Sequence, residues 1–287
     1  MRVLVLGATG QLGWELFRTC PENVCLHTCD YPKVDFTSES SLLGCLSVNN
    51  VDWVINAAAY TAVDDAEKNA VLAYQINEKA VEIIARFCLE NDIRLVHIST
   101  DFIFNGLHHK PYLPEDTPDP RSVYGFSKLA GEQAIERILG KDALIIRTAW
   151  LYSVHGKNFV KTMIQLMKTK AALNIVDDQI GTPTWANGLA KAVWTGMKEQ
   201  VTGVHHWTDA GVASWYDFAV AVQEEALAIG LLDRQIPLMP VGTHAFPRPA
   251  ERPHFSVLDK TGFWQAAGIT PIHWRKQLRS MLAEVGA

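Results

Sequence analysis

Short apolar runs alternate with longer amphipathic patterns through the first half of the chain. The runs are typical of buried parallel strands, which we predict at Arg2–Leu6, Val24–Thr28, Asp52–Asn56, Arg94–Ser99 and Ala143–Thr148. Apolar residues at helical spacing predict helices that begin near Gly10 and extend over Glu39–Val48, Ala70–Asn91 and Ser122–Leu139. Strands and helices in alternation form right-handed βαβ units. The pattern therefore predicts an α/β protein whose parallel sheet is covered by helices on both faces.

The alternation becomes less regular after Trp150. Helices are predicted at Asn158–Thr169, Thr184–Glu199, Ser214–Gly230 and Pro271–Val285, with short strands at Asn174–Val176 and His205–Trp207. Five prolines between Pro237 and Pro253 predict an irregular stretch. We find no internal repeat and no low-complexity linker, so the second half is expected to pack directly on the first.

Composition narrows the class of protein without naming a function. The chain has 287 residues, a formal charge of −5 and 48% hydrophobic residues, which argues against disorder and against nucleic-acid binding. All five cysteines lie in the first third, and none shows the spacing of a zinc site. We expect reduced thiols, no signal peptide, no membrane span and a cytoplasmic location.

A glycine-rich turn follows the first predicted strand. Gly7, Gly10 and Gly13 have the spacing G-x-x-G-x-x-G and open the first helix. Glycines let a backbone approach a pyrophosphate, and a helix N-terminus offers it free N–H groups. Asp30 ends the second strand, where a carboxylate binds the ribose hydroxyls of NAD, but Lys33 is close enough to suit a 2′-phosphate. The sequence predicts a nicotinamide dinucleotide without choosing between NADH and NADPH.

Tyr124 and Lys128 are one turn apart on a predicted helix and share one face. An ammonium about 4 Å from the phenol is expected to lower its pKa by about three units, toward the range useful in acid–base catalysis. Ligands of open parallel sheets bind beyond the carboxyl ends of the strands. Ser99–Asp101 and Ala57–Ala59 lie at that edge, where the hydroxyl of Thr100 is expected beside the phenol.

This set of residues resembles the extended short-chain dehydrogenases/reductases, and within them the dTDP-4-dehydrorhamnose reductase family. The resemblance runs from Arg2 to about Met281. It rests on the segments Asn56–Asp64, Ser99–Phe104, Val123–Glu132, Arg147–Tyr152, Asn158–Met163, Asp178–Thr184 and Arg252-Pro253, which follow one another in family order.

The resemblance implies a Rossmann-type doubly wound sheet with a smaller α+β C-terminal domain for the substrate. The implied NAD(P)-binding domain is 1–150 with a return segment at about 171–203, and the sugar-nucleotide domain is about 151–170 and 204–287. The implied reaction reduces the 4-keto group of dTDP-6-deoxy-L-lyxo-4-hexulose with NADPH or NADH. Its product is dTDP-L-rhamnose, which is used for surface polysaccharides.

Residue roles follow from the same resemblance. Catalysis is expected from Tyr124 as proton donor, Lys128 and Thr100. Cofactor binding is expected from Gly7, Gly10, Gln11, Leu12, Gly13, Asp30, Asp35, Phe36, Ala57, Ala58, Ala59, Tyr60, Ser99, Tyr124 and Lys128. Substrate binding is expected from Thr61, Val63, Thr100, Asp101, Tyr124, Trp150, Asn158 and Arg252, the last through the diphosphate.

Two departures from the family pattern bear on metal binding and specificity. Some family members form homodimers that hold magnesium between glutamates. Glu15 and Glu284 match two such positions, but Asn187 stands where a third glutamate is wanted. We therefore expect no required metal, while a homodimer remains an expectation. Phe102 replaces the usual tyrosine after Ser-Thr-Asp, which removes a hydroxyl from the pocket.

Other functions on the same fold stay open at this point. A 4,6-dehydratase would need an acid in place of Phe102, and an epimerase suits the second-half motifs less well. A sister 4-ketoreductase acting on a related deoxyhexulose is the main competitor, because substrate stereochemistry depends on fine pocket shape. A non-catalytic regulatory homologue is the alternative from another class, although it would not need Tyr124 and Lys128.

Overall fold

The computed structural model describes residues 1–48 and 50–286, and its strands follow the predicted alternation. They are β1 (Arg2–Leu6), β2 (Cys25–Cys29), β3 (Trp53–Asn56), β4 (Arg94–Thr100), β5 (Leu144–Thr148), β6 (Leu151–Tyr152), β7 (Leu173–Val176), β8 (Ile180–Gly181), β9 (Thr184–Trp185), β10 (Gly203–His206), β11 (Ala213–Ser214) and β12 (Leu238–Val241).

The helices are α1 (Gln11–Arg18), α2 (Glu39–Val48), α3 (Val63–Ala66), α4 (Ala70–Tyr74), α5 (Ala80–Glu90), α6 (Val123–Leu139), α7 (Phe159–Thr169), α8 (Ala186–Lys198), α9 (Trp215–Ala228), α10 (Thr261–Ala266) and α11 (Trp274–Gly286). Ser122 and Ser214 cap α6 and α9 with their side chains, and Ser214 forms a full capping box with Asp217. None of the described helices has the length and apolar character needed to cross a bilayer.

Six strands form one parallel sheet in the order β10-β5-β4-β3-β1-β2. All of their carboxyl ends therefore meet at the same edge. In this register Asn56 pairs with both Leu6 and His97, and Thr100 pairs with Thr148. The predicted doubly wound parallel fold is confirmed, with β4 and β3 at the centre of the strand order.

The three largest apolar clusters among the described residues hold the molecule together. One lies between the sheet and helices α1 and α8, and a second lies on the opposite face beneath α2, α5 and the end of α6. The third is built by α7, α9 and α11 with aromatic residues of the second half. Its separation from the sheet agrees with a distinct C-terminal unit, but the domain boundaries stay a prediction.

Two segments differ from the sequence-based prediction. The long helix expected at Ala70–Asn91 is interrupted by a π-helical turn, Gln75–Lys79, that separates α4 from α5. The proline-rich stretch expected to be irregular contains β12, which pairs with β7 in a separate two-stranded sheet. A proline is compatible with such an edge strand, because Pro240 needs no N–H for a second neighbour there.

Candidate active site

The turn after β1 is shaped to receive a phosphate group. Gly7 has φ +83°, and a Cβ there would lie 2.6 Å from the backbone nitrogen of Ala58. A Cβ at Gly13 would collide with the Gly7 carbonyl oxygen. Side chains at these two positions would thus clash with the backbone, so both glycines allow the turn to pack closely on α1 and on the segment at Ala58. The N-terminus of α1 opens into the cavity beyond, as expected for a pyrophosphate site.

A cavity of about 680 Å³ lies along the carboxyl edge of the sheet. This volume suits a small molecule or cofactor. Most of the predicted site residues line it: Gly7, Gly10, Gln11, Leu12, Asp30, Phe36, Ala57, Ala58, Ala59, Thr61, Val63, Ser99, Thr100, Asp101, Tyr124, Lys128 and Trp150. The buried hydroxyls of Ser99 and Thr148, also on its wall, have no hydrogen-bond partner among the described residues. Those free hydroxyls and the glycine turn fit a dinucleotide.

Five predicted site residues lie outside the lining: Gly13, Asp35, Tyr60, Asn158 and Arg252. Gly13 supports the site indirectly, because its lack of a side chain lets α1 pack closely on the glycine turn, as described above. The carboxylate of Asp35 accepts hydrogen bonds from the N–H and hydroxyl of Thr37 at 2.8 and 2.6 Å. Its pKa is lowered mainly by the Thr37 hydroxyl.

Asp30 holds the glycine turn in addition to facing the cavity. Its Oδ2 accepts from the backbone N–H and the hydroxyl of Thr9 at 2.8 and 2.6 Å, and its Oδ1 accepts from the N–H of Tyr31. Both oxygens are thus engaged by neighbouring groups. Lys33 is exposed and does not line the cavity, so the geometry leaves the choice between NADH and NADPH open.

Tyr124 and Lys128 lie on the first turns of α6, directly beside the end of β4. The side chain of Lys128 is 1% exposed, and its Nζ donates to the Ile98 carbonyl at 2.7 Å. Burial lowers the pKa of Lys128 to about 8, against the opposing charge of Glu132. The ring of Tyr124 packs edge-on against Phe102 at 5.6 Å between centroids.

The pKa of the Tyr124 phenol differs from the value expected from the sequence. Burial raises the pKa of Tyr124 to about 12, with a hydrogen bond from Thr100 lowering it and the charge of Asp101 raising it. The expected lowering by Lys128 is wrong in this arrangement, because burial raises the pKa of the phenol and the amine is directed at the Ile98 carbonyl of β4. The predicted closeness of Thr100 and the phenol is confirmed.

Asp101 and Trp150 also line the cavity. Asp101 is buried, and this burial raises its pKa to about 6, against hydrogen bonds from Ser256 and Thr100. Trp150 has φ +48°, a conformation that costs energy for a bulky residue and is typical of functional sites. Its indole stacks on Trp215 with centroids 3.5 Å apart, and a Cβ on Gly181 would lie 2.6 Å from the indole. The sequence did not predict either support for Trp150.

Arg252 and Asn158 are held by neighbouring groups. Nη2 of Arg252 lies 2.7 Å from Asp64 Oδ2, and Arg248 is 3.8 Å from the same oxygen. Asn158 caps α7 by accepting from the Lys161 N–H, while its Nδ2 donates to Gln11 and to the Ser153 carbonyl. Arg252 is therefore tied to Asp64, which follows the cavity residue Val63 in the sequence, whereas the Asn158 carboxamide joins α7 to α1.

The two glutamates that match metal positions of some family members, Glu15 and Glu284, do not fit a divalent cation here. Arg18 donates to Glu15 Oε2 at 2.9 Å and to Glu284 Oε2 at 2.7 Å, and Asn187 donates to the same Glu15 oxygen. These carboxylates already face a guanidinium and an amide, while magnesium needs free oxygen ligands. In the described ranges, no group of three or more His, Cys, Asp or Glu side chains is placed to hold a metal.

Comparison with known proteins places the chain in a family. The family described as RmlD substrate binding domain matches residues 1–287. The spore coat polysaccharide biosynthesis protein SpsK of Bacillus subtilis is 39% identical, over 99% of this chain and 97% of its own length. The dTDP-4-dehydrorhamnose reductase of Escherichia coli is 38% identical, over 99% of this chain and 98% of its own length. A probable dTDP-4,6-dihydroxy-2-methyloxan-3-one 4-ketoreductase of Streptomyces antibioticus is also 38% identical, over 99% and 96%.

Solved structures agree over the whole chain. A dTDP-4-dehydrorhamnose reductase of Clostridium acetobutylicum superposes with a TM-score of 0.93 at 36% identity, covering 100% of both chains. The dTDP-4-dehydrorhamnose reductase of Bacillus anthracis, solved in complex with NADP, gives 0.92 at 33% identity over 99% of each. The chain belongs to the RmlD substrate binding domain family.

Proposed function

We propose that this protein is an NAD(P)H-dependent reductase that converts dTDP-6-deoxy-L-lyxo-4-hexulose to dTDP-L-rhamnose. One observation carries the proposal: Tyr124, Lys128 and Thr100 converge on a cavity that also receives the glycine turn and the stacked Trp150. A phosphate site and a proton donor thus share one space at the carboxyl edge of the sheet. The reductases from Escherichia coli and Clostridium acetobutylicum, which match nearly end to end, support the substrate class.

Tyr124 is the general acid. Reduction of a ketone leaves an alkoxide, which needs a proton, and a phenol whose pKa is raised to about 12 is fully protonated at neutral pH. The Thr100 hydroxyl lies beside the phenol and orients the reacting oxygen. The nicotinamide, when bound, supplies the hydride to C4 of the sugar. Lys128, anchored on the Ile98 carbonyl, would hold the nicotinamide ribose.

The cofactor lies along the glycine turn and the edge formed by Ala57–Ala59. The pyrophosphate would lie against the N-terminus of α1, where the close backbone packing of Gly7 and Gly13 keeps the turn tight. Ser99 offers an unpaired buried hydroxyl on the same wall. We propose NADPH or NADH as the reductant, and the NADP complex of the Bacillus anthracis relative supports the phosphorylated form.

The sugar and its diphosphate occupy the part of the cavity that Trp150 lines. Trp150 gives a flat apolar face to the sugar, with Thr61, Val63 and Asp101 around it. Arg252 binds the diphosphate. Its Nη2 is the only guanidinium nitrogen with a hydrogen bond to another described residue, so its remaining N–H groups can turn to a phosphate. Direct substrate contact by Asn158 stays a prediction, because its carboxamide is already engaged.

A coupled assay tests the reaction, the substrate and the cofactor together. The protein is mixed with dTDP-4-keto-6-deoxyglucose and a 3,5-epimerase, with NADPH or NADH in parallel, and loss of reduced cofactor is followed. NMR then identifies the sugar product. Oxidation that depends on the epimerase and yields dTDP-L-rhamnose is the expected result. Tight cofactor binding without oxidation would refute the catalytic assignment and favour a regulatory homologue.

A sister 4-ketoreductase is the second candidate. The relative from Streptomyces antibioticus, named as a probable dTDP-4,6-dihydroxy-2-methyloxan-3-one 4-ketoreductase, is as similar as the Escherichia coli reductase. Phe102 packs against Tyr124 at the reacting end of the cavity, so a change of shape there bears on stereochemistry. Oxidation without the epimerase, or a product other than dTDP-L-rhamnose, would favour this candidate.

We further propose a homodimer located in the cytoplasm. Phe17 is 66% exposed, and Val285 is exposed on the neighbouring helix, which Arg18 and Glu284 join to α1. The five cysteines are free thiols, which suits a reducing compartment. Sedimentation velocity tests the assembly: a dimer gives twice the chain mass of 31.9 kDa.

A further inference from the structure

A row of buried polar side chains runs behind the proposed catalytic pair, from β3 through β4 to α6. Asn56 Nδ2 lies 3.2 Å from His97 Nδ1, and His97 Nε2 lies 3.2 Å from Lys128 Nζ. His97 is fully buried, and Asn56 is 2% exposed. The reaction outlined above uses Lys128 but assigns nothing to His97 or Asn56.

The direction of these hydrogen bonds is fixed at the backbone of Ala58. The Ala58 N–H can only donate, and it lies 3.1 Å from Asn56 Oδ1, so the amide nitrogen of Asn56 must face His97. His97 Nδ1 therefore accepts a hydrogen bond. Burial and the charge of Lys128 hold the pKa of His97 well below its usual value, so the ring is neutral and carries its one proton on Nε2.

That proton points at the side-chain nitrogen of Lys128. A neutral amine can accept it with its lone pair, whereas an ammonium has three donors and no acceptor. The row as built thus belongs to the uncharged form of Lys128. One amine hydrogen donates to the Ile98 carbonyl, and the other remains for the cavity.

Protonation of Lys128 requires the whole row to reverse. The ring proton must move to Nδ1, so that Nε2 accepts from the ammonium, and the carboxamide of Asn56 must turn over to accept from Nδ1. Its amide nitrogen would then face the Ala58 N–H, donor against donor. The net change is one proton gained at Lys128, with the hydrogen bond between Ala58 and Asn56 broken.

We propose that His97 is a positioning residue that couples the charge of Lys128 to the cofactor wall at Ala58. Its ring proton resides on Nε2 when Lys128 is a neutral amine and on Nδ1 when Lys128 is an ammonium. Ala58 lines the same cavity as Lys128, so the two ends of the row face one ligand. The consequence for turnover rests on the proposed function, but the position of the ring proton does not.

Other charged groups near Lys128 do not produce the same change of the His97 tautomer with pH. On the elements packed around it these groups are Tyr124 and Glu132 on α6, Asp101 after β4, Glu67 beside the start of α6, and Arg147 on β5. Tyr124 stays protonated below about pH 12, and Asp101 titrates near 6. Glu132 is held by its ion pair with Arg147. Among these neighbouring groups, the interval from pH 7 to 10 therefore isolates Lys128.

Imidazole nitrogen NMR on the ¹⁵N-labelled full chain tests the proposal without turnover. The signal of His97 is assigned from a His97→Gln spectrum. We expect the Nε2–H form at high pH and the Nδ1–H form at low pH, with a midpoint near 8. Lys128→Met, which removes the amine, is expected to keep the Nε2–H form throughout. A wild-type ring that keeps one tautomer from pH 7 to 10 would overturn the proposal.

Asn56→Asp gives a second, independent test. A carboxylate accepts from both Ala58 and His97, so it fixes the proton on Nδ1 and favours the ammonium at Lys128. We expect the Nδ1–H form across the interval, and the high-pH fall of kcat/KM for the cofactor to move up by about one pH unit or more. An Nε2–H form in this variant would contradict the coupling. If the tautomers change as expected but the pH profile of kcat/KM does not, the coupling stands and the role proposed for Lys128 in the reaction fails.

Discussion

The buried ion pair between Glu132 and Arg147 offers the sharpest stability test of this fold. Both side chains are 5% exposed, and Arg147 Nη2 and Nε lie 2.7 and 3.1 Å from the two oxygens of Glu132. Arg147 Nη1 also donates to the Pro114 carbonyl at 2.9 Å. The pair joins α6, one turn beyond Lys128, to β5 in the sheet. We compare Arg147→Met, Glu132→Met and the double variant.

The expected losses of unfolding free energy follow from the unpaired groups that each substitution leaves in the interior. Either single variant leaves one buried charge without its partner, which costs about 3–5 kcal/mol of unfolding free energy. The double variant removes both charges and fills the space with apolar atoms of similar volume. It leaves the Pro114 carbonyl without its donor, a cost of about 1–3 kcal/mol. The double variant is therefore expected to be more stable than either single one.

Equilibrium urea unfolding followed by tryptophan fluorescence and by circular dichroism measures these differences. The two probes should give coincident transitions, since only then does one free energy describe the unfolding of a chain of this size. A double variant that loses the sum of the two single losses would refute the reasoning, because the two charges would then act independently.

Four further predictions concern the site and its surroundings. Tyr124→Phe should lower kcat about 100-fold or more with unchanged cofactor affinity, measured by steady-state kinetics and by cofactor titration. Trp215→Leu should remove the support of Trp150, raising KM for the sugar nucleotide more than it changes kcat; an unchanged KM would contradict the stacking argument. Gly13→Ala should abolish cofactor binding in a titration while the circular dichroism spectrum is retained, because its Cβ meets the turn. Burial raises the pKa of Asp209 to about 8, so the folded state binds its proton between about pH 4 and 8 where the unfolded state does not. Its contribution to stability therefore falls as pH rises through that interval, and urea midpoints of Asp209→Asn should lack this slope.

Much of the fold could be predicted because local patterns and tertiary structure agree. The strands of a parallel sheet are buried on both faces, so they appear as continuous apolar runs, and all five predicted in the first half are present within one or two residues. The glycine turn and the Y-x-x-x-K pair could be placed because both follow strand ends. In an open parallel sheet, topology alone then puts them at one edge.

The π-helical turn at Gln75–Lys79 could not be predicted, because the apolar pattern continues through it. The cause of this turn is a set of tertiary contacts. Asn77 is 1% exposed, and its side chain accepts from the N–H of Tyr60, donates to the Tyr60 carbonyl and donates to the Ser127 hydroxyl on α6. A Cβ on Gly131 would collide with the carbonyl oxygen of Asn77, so α6 also lies very close to this turn. These partners lie 17 to 54 positions along the chain, beyond any helical period.

Residues that control the chemistry of the site are also far apart in the sequence, so sequence patterns do not reveal them. His97 occupies an ordinary position in an apolar strand, and Trp215 begins a helix 65 residues after Trp150. The predicted lowering of the phenol pKa was wrong for this reason. The spacing places Lys128 one turn from Tyr124, but the strand residues Ile98 and His97 determine where the amine points. Sequence motifs therefore identify which groups can react. The protonation states of those groups depend on desolvation and on hydrogen-bond partners from other elements, which are determined only when the sheet is assembled.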